Sequence, residues 1–232
     1  MRNLLVSSVA LFALVTASCA DEEDKVVVGE DEDIVEVEDE GQAPAPETEL
    51  SYPAGPYGEG EGSIIRNMKF RGYARPQDGN FSVPQTLEMA DFYNPTGAEQ
   101  FPADSFYGAK PKPKALLVII SAAWCNPCKI EADQVLPGEY ADYAPMGAEF
   151  LTVMAENVNG DEPELKVLES WQKKYEQNWP GIADGQFKLF ALAAEPAFPA
   201  NILIDTRTME IVDAVAGADP AIFNKMEDIL SQ

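Results

Sequence analysis

Leu116-Leu117-Val118-Ile119-Ile120-Ser121-Ala122-Ala123-Trp124-Cys125-Asn126-Pro127-Cys128-Lys129 decides how this chain is read. Leu116 to Ser121 is a continuous apolar run of strand length, which suits a central strand buried on both faces. The C-x-x-C that follows stands where this strand ends and a helix begins. The helix is expected from Cys128 to about Leu136, ended by Pro137-Gly138. At such a junction the first cysteine meets the unpaired N–H groups and positive end of the helix, which stabilise a thiolate. The thiolate is both the nucleophile and the better leaving group in disulfide exchange. Cys125, at the mouth, is therefore expected to attack a substrate disulfide, and Cys128, one turn in, to resolve the mixed disulfide. Pro127 lacks an N–H that the first turn would waste, and it fixes the loop. Trp124 is expected to pack beneath the loop.

Other uses of a cysteine pair fit less well. The chain has three cysteines and no histidine, too few for a four-cysteine zinc site within one chain, which leaves two pairs shared across a homodimer as the zinc alternative. The same absence excludes Ser–His and Cys–His nucleophile pairs and covalent haem attachment through C-x-x-C-H. A purely structural disulfide across two residues would close too small a loop to stabilise much.

Outward from this stretch, strands and helices alternate. Phe150 to Met154 reads as a second buried strand, and Pro163 to Gln177 as a helix with Leu165, Leu168, Trp171 and Tyr175 on one side. Asn201 to Asp205 and Glu210 to Val215 read as a hairpin. Asp219-Pro220 marks the start of a last helix that presents Ile222, Phe223, Met226, Ile229 and Leu230 to a core. The order implies an α/β fold, a mixed sheet with helices on both faces. Ile64, Ile65, Met68, Phe70 and Tyr73 suggest an added strand at the sheet edge, and residues 178–196 look like an insertion with a turn at Ala183-Asp184-Gly185.

The strand, the W-C-x-P-C-K motif and the later Ala197-Phe198-Pro199-Ala200-Asn201-Ile202-Leu203-Ile204-Asp205 resemble the thioredoxin-like fold. Within it, residues 85 to 232 look most like the TlpA-like branch of extracytoplasmic thiol–disulfide oxidoreductases. The resemblance implies a central mixed β-sheet flanked by helices, here with an N-terminal strand extension. It implies that Pro199 is a cis-proline facing the cysteine pair, where the adjoining strand edge pairs with substrate backbone. Trp124, Pro127, Phe198 and Pro199 would then form the substrate groove. Glu131, three residues after Cys128, matches a glutamate of this branch that tunes cysteine ionisation, and by helical spacing it lies near Cys128. A carboxylate there could take the Cys128 proton during resolution, since no histidine exists to do so; a solvated helix residue is the competing reading. Glu156 is a weaker acid–base candidate, and Lys129 reads as a solvated charge. Two positions depart from the branch: Asp133 stands where it often has proline, and Phe198 is bulky for the residue before the cis-proline.

The first 62 residues read differently. Residues 1–20 look like an export signal, with Arg2 ahead of a fourteen-residue apolar stretch from Leu4 to Ala17. Thr16-Ala17-Ser18-Cys19 resembles a bacterial lipobox and makes Cys19 the candidate lipidation site. Residues 21–62 carry sixteen acidic residues and one lysine, and nine of the 22 residues from Gly41 to Gly62 are Gly or Pro. Such a stretch repels itself and cannot build a core, so it is expected to be a disordered tether. The thioredoxin-like domain is placed at residues 63–232.

Sixteen basic against forty acidic residues give a net charge of −24, which argues against a nucleic-acid partner. The partners expected are protein disulfide or dithiol substrates, a membrane or periplasmic redox partner, and a lipid anchor; no cofactor or metal is expected. The leading reading is an exported enzyme facing the periplasm or cell surface. The alternative is a non-enzymatic surface lipoprotein that binds proteins through the same scaffold, and the intact cysteine pair weighs against it. The C-x-x-x-C with distal histidine of copper chaperones and a T-x-x-C peroxidatic site are both missing.

Overall fold

The computed structural model describes residues 51–78, 81 and 83–232. The expected export signal, Cys19 and residues 21–50 lie outside the described residues. The strands are β1 (Lys69–Tyr73), β2 (Gln85–Glu88), β3 (Ala115–Ala122), β4 (Ala148–Glu156), β5 (Gly181–Ala183), β6 (Ala200–Asp205) and β7 (Glu210–Ala216). The α-helices are α1 (Asn126–Gln134), α2 (Leu136–Tyr143), α3 (Leu165–Lys174) and α4 (Ala221–Leu230). One seven-stranded sheet has the order β2-β1-β5-β4-β3-β6-β7. β3 runs parallel to β4 and antiparallel to β6, and all eight of its residues are buried.

The pleat divides β3 between two cores. Leu116, Val118 and Ile120 face one, while Ala115, Leu117 and Ile119 face the other. On β4, Leu151 and Val153 join the first core, and Phe150 and Met154 point to the opposite face. The α-helices all pack on that second face. Leu136 and Tyr143 of α2 and Ile222, Phe223 and Met226 of α4 meet Phe150, whereas Ala132 of α1 and Leu168 and Trp171 of α3 meet Met154. Among the described residues, the buried cluster on the first face holds no α-helical residue. It is roofed by a 3-10 turn at Met89–Phe92, by Phe101 and Tyr107, and by Leu189 and Leu192. The sheet is flanked by helices as expected, but on this face they are the short 3-10 helices Met89–Phe92 and Phe190–Leu192. Pro95, Pro102, Pro111 and Pro113 deny residues 93–113 a helix, yet their aromatic neighbours still seal the sheet.

Other boundaries also shift. Pro137-Gly138 does not end the first helix region: Pro137 sits in the first turn of α2, where its missing N–H costs nothing. α3 is shorter than expected at both ends. Glu164 precedes it, and Glu176 at φ 50° turns the chain out, with the Gln177 N–H donating to the Gln172 carbonyl at 2.9 Å. Residues 178–196 are not wholly an insertion, because Gly181–Ala183 is β5, an interior strand between β4 and β1. Three residues were too short to show as an apolar run. The expected turn is present after it, with Phe187 N–H donating to the Asp184 carbonyl at 3.1 Å.

The segment before β3 reaches both sides of the sheet. β1 and β2 extend one edge, antiparallel to β5. Ile64 and Ile65 belong to the other: Ile65 N–H donates to the Met209 carbonyl at 2.9 Å, and Ile211 N–H to the Ser63 carbonyl at 2.8 Å. This contact covers the start of β7 at residues 209–211. Within residues 51–62, Tyr52 donates to the Ile65 carbonyl at 2.7 Å and Gly62 N–H to the Ile211 carbonyl at 2.9 Å. These residues therefore touch the folded unit, although their composition resembles that of the segment before them.

Gly72 shows how tightly β1 meets β5. A Cβ at Gly72 would overlap the Gly181 carbonyl oxygen, which is backbone and cannot swing aside. Gly72→Ala is expected to destabilise the domain by about 2 kcal/mol or more, measured as the shift in urea midpoint. An unchanged midpoint would show that the β1–β5 pairing is loose.

Candidate redox site

The parallel pair β3–β4 ends at Ala122 and Glu156, and the site is built on that carboxyl end. Ala123 N–H donates to the Glu156 carbonyl at 2.9 Å, which aligns the exit from β3. Cys125 follows as the N-cap of α1, with φ −68° and ψ 119°. Its sulfur accepts the backbone N–H of Cys128 at 3.1 Å. The two cysteines are joined as a disulfide. Both are buried; Cys125 keeps 2% exposure and Cys128 none, so Cys125 is less open than a residue at a mouth would be. The exposed residues around them are Trp124, Asn126 and Pro127.

Trp124 corrects an expectation. It is 48% exposed on the rim rather than packed beneath the loop. Its indole N–H donates to Glu156 Oε2 at 2.5 Å, and its ring stands edge-on to Phe198 at 5.9 Å between centroids. Lys129, which read as a solvated charge, is half-buried and donates to the Trp124 carbonyl at 3.3 Å. Glu156 thus holds the tryptophan on the rim. Phe198 stacks in turn on Phe190 at 4.5 Å, so the segment after β5 supplies the far wall of the rim.

Ile120 pairs with Ala200, which brings Pro199 level with the end of β3. The Phe198–Pro199 peptide is cis. Phe198 packs against the cluster that contains Cys125 and Cys128, so this turn and the disulfide share one core. The fold is thioredoxin-like. No protein-family model and no curated protein sequence matches the chain. Solved structures do match. AhpC from Enterococcus faecalis aligns with TM-score 0.51 at 15% identity, over 74% of this chain and 92% of that one. The thioredoxin domain of a thiol-disulfide oxidoreductase from Bacteroides vulgatus aligns with TM-score 0.49 at 16% identity, over 75% and 99%. An exposed lipoprotein thioredoxin from Streptococcus pneumoniae aligns with TM-score 0.46 at 21% identity, over 70% and 99%. At these identities the likeness is one of fold.

Glu131 is not a solvated helix residue. It is 3% exposed, on the first turns of α1 after Cys128. Burial pushes its carboxyl up to about 7, against a smaller downward pull from the hydrogen bond that Asn201 Nδ2 donates to Oε1 at 2.7 Å. Glu131 Oε2 and Asn201 Oδ1 are buried without a partner. Both residues line a cavity of about 280 Å³ that also touches Asp219 and Phe223 at the start of α4. Val135, Pro220 and Ile222 make most of its wall apolar, so these two oxygens are its buried polar groups, and the space is roomy enough for a water to reach them. Asn201 was not singled out in the sequence. Its signal was there: one amide inside the apolar run from Ala200 to Ile204 needs a buried partner.

Among the described residues no group of three or more potential metal ligands occurs, and no helix is long and apolar enough to cross a membrane.

The raised Glu131 carboxyl makes stability depend on pH. The folded carboxyl titrates near 7 and an ordinary one near 4.5, so the folded chain binds more protons between those values. The stabilisation is complete below pH 4.5 and is lost as pH rises through 7. Between pH 5 and 8 the loss is on the order of 3 kcal/mol, at roughly 1.4 kcal/mol per pH unit. Glu131→Gln keeps the shape and is expected to abolish most of that decline in urea titrations at the two pH values. Parallel declines in variant and wild type would mean that Glu131 is solvated and ordinary.

Proposed function

We propose that the chain is an exported, membrane-tethered thiol–disulfide oxidoreductase that exchanges or reduces disulfides in extracytoplasmic proteins. The observation that carries this reading is the Cys125–Cys128 disulfide at the N-terminus of α1, beside the cis-proline turn. In the reduced state the Cys125 thiolate attacks one sulfur of a substrate disulfide. That bond breaks, a mixed disulfide forms, and the displaced sulfur leaves as a thiolate that takes up a proton. Cys128 then gives its proton to a base and attacks Cys125, releasing the second substrate sulfur and closing the internal disulfide. The substrate gains two electrons and the domain loses them. A dithiol partner in the membrane or periplasm must return them for a further cycle.

Glu131 is the base for the second step. It stands three residues after Cys128 on the same helix, and a carboxyl titrating near 7 can take up and return a proton at neutral pH. Trp124, Pro127, Phe198 and Pro199 form the substrate rim. Trp124 and Pro127 supply its exposed parts. The strand edge beside Pro199 offers backbone groups to an extended substrate. Export and tethering rest on the sequence of residues 1–20, with Cys19 as the lipidated residue, and on the acidic segment that follows.

The reduced protein should catalyse insulin reduction with a dithiol. Cys125→Ser is expected to abolish it, while Cys128→Ser should accumulate mixed disulfides that mass spectrometry detects. Full activity in the Cys125→Ser variant would refute the assignment of the nucleophile.

A further inference from the structure

An open groove of about 480 Å³ begins at the redox site. Ala123, two residues before Cys125, and Lys129, next to Cys128, form its near end. It continues between the loop after β4 and the outer side of α3, where Lys166, Trp171 and Lys174 line it. Three features distinguish this groove within a chain of net charge −24.

The first is its sign. Lys129, Lys166 and Lys174 supply three ammonium groups against one carboxylate, Glu164, among the lining residues. None of the three lysines is paired in the ion pairs of the described residues, whereas Lys173 on the same helix is bound to Glu169 at 2.6 Å. The second is an unmet donor. Trp171 is 5% exposed, and its indole N–H is buried without an acceptor. A buried N–H left unpaired is costly, and an incoming carbonyl or carboxylate oxygen would recover part of that cost. The third is an apolar lip. Val158, 67% exposed, stands in the same lining with Val167 and Tyr175.

We propose that this groove binds an acidic stretch of substrate polypeptide flanking the disulfide under attack, and so selects substrates by charge. The proposal rests on the exchange activity proposed above. The groove's volume suits three or four residues of extended chain. Aspartate or glutamate side chains would lie between Lys166 and Lys174, a backbone or carboxylate oxygen would accept from Trp171, and small apolar side chains would cover Val158. Continuity through Ala123 and Lys129 delivers the neighbouring substrate sulfur to Cys125. In a chain of net charge −24 an acidic segment finds few other complementary patches, so the lysines of this groove set where it can bind.

The test uses the full chain and three disulfide peptides identical except for two flanking residues, acidic, neutral or basic. Wild type is expected to turn over the acidic peptide about tenfold faster, as kcat/KM, than the basic one at low salt. The ratio should fall toward one at high salt, as rim charges are screened. The double variant Lys166→Glu, Lys174→Glu is expected to invert the ratio. A second readout is binding of cysteine-free labelled peptides by fluorescence anisotropy, which does not require exchange. An acidic peptide that binds wild type and is lost in the double variant supports the groove even if no exchange is seen, which would count against the enzyme reading alone. Exchange without any charge preference, or a preference unchanged in the double variant, overturns the groove and leaves the enzyme reading standing. Charge preference that appears only after residues 21–50 are removed would give the groove to the chain's own acidic segment and overturn the proposal.

Discussion

The Cys125 sulfur accepts the backbone N–H of Cys128 at 3.1 Å, and the rest of the site depends on that contact. It requires an extended residue at Cys125, followed at once by helical residues, so β3 must end and α1 must begin within three residues. β3 can be held to that point because it lies between β4 and β6 with every residue buried. A shift of its register would turn Leu117 and Ile119 into the wrong core and would move the cysteine as well. The two cores on either face of the sheet therefore act as the alignment device for a sulfur atom. The N–H groups at the helix start would favour a negative sulfur in the reduced state by the same geometry that makes them donors now.

Glu131 shows two forces in competition on one carboxyl. Desolvation disfavours its charged form, and the amide of Asn201 favours it. Desolvation wins, because Asn201 satisfies one oxygen and leaves the other without a partner. The same Asn201 Nδ2 also donates to the Gly217 carbonyl at 3.2 Å, while Gly217 N–H donates to the Pro199 carbonyl at 2.7 Å. The Glu131 carboxyl and the cis-proline turn are thus joined through one amide and one loop.

Much of this was legible in the sequence because it rests on local rules. The apolar run from Leu116, the C-x-x-C behind it, the hairpin of β6 and β7 and the apolar face of α4 each obey a short-range pattern, and each is present. The cis peptide before Pro199 followed from resemblance. What escaped depended on contacts distant in the chain. Whether Glu131 was solvated or buried turned on Asn201, 70 residues away. Trp124 sits on the rim because Glu156, 32 residues on, accepts its N–H. β5 was hidden by its three-residue length, and the roof of the first core was hidden because aromatic residues in a proline-rich segment carry no period. The groove along α3 needed Lys166 and Lys174 to fall on one side together with Ala123 and Lys129.

The central claim is that the strand–helix junction makes Cys125 the activated sulfur of the pair. The most direct measurement is the rate of iodoacetamide alkylation at each cysteine of the reduced protein at neutral pH, resolved by peptide mass spectrometry. The account predicts that Cys125 is alkylated at least about tenfold faster than Cys128, which is fully buried and sits inside the helix rather than at its cap. Equal rates, or faster reaction at Cys128, would contradict it.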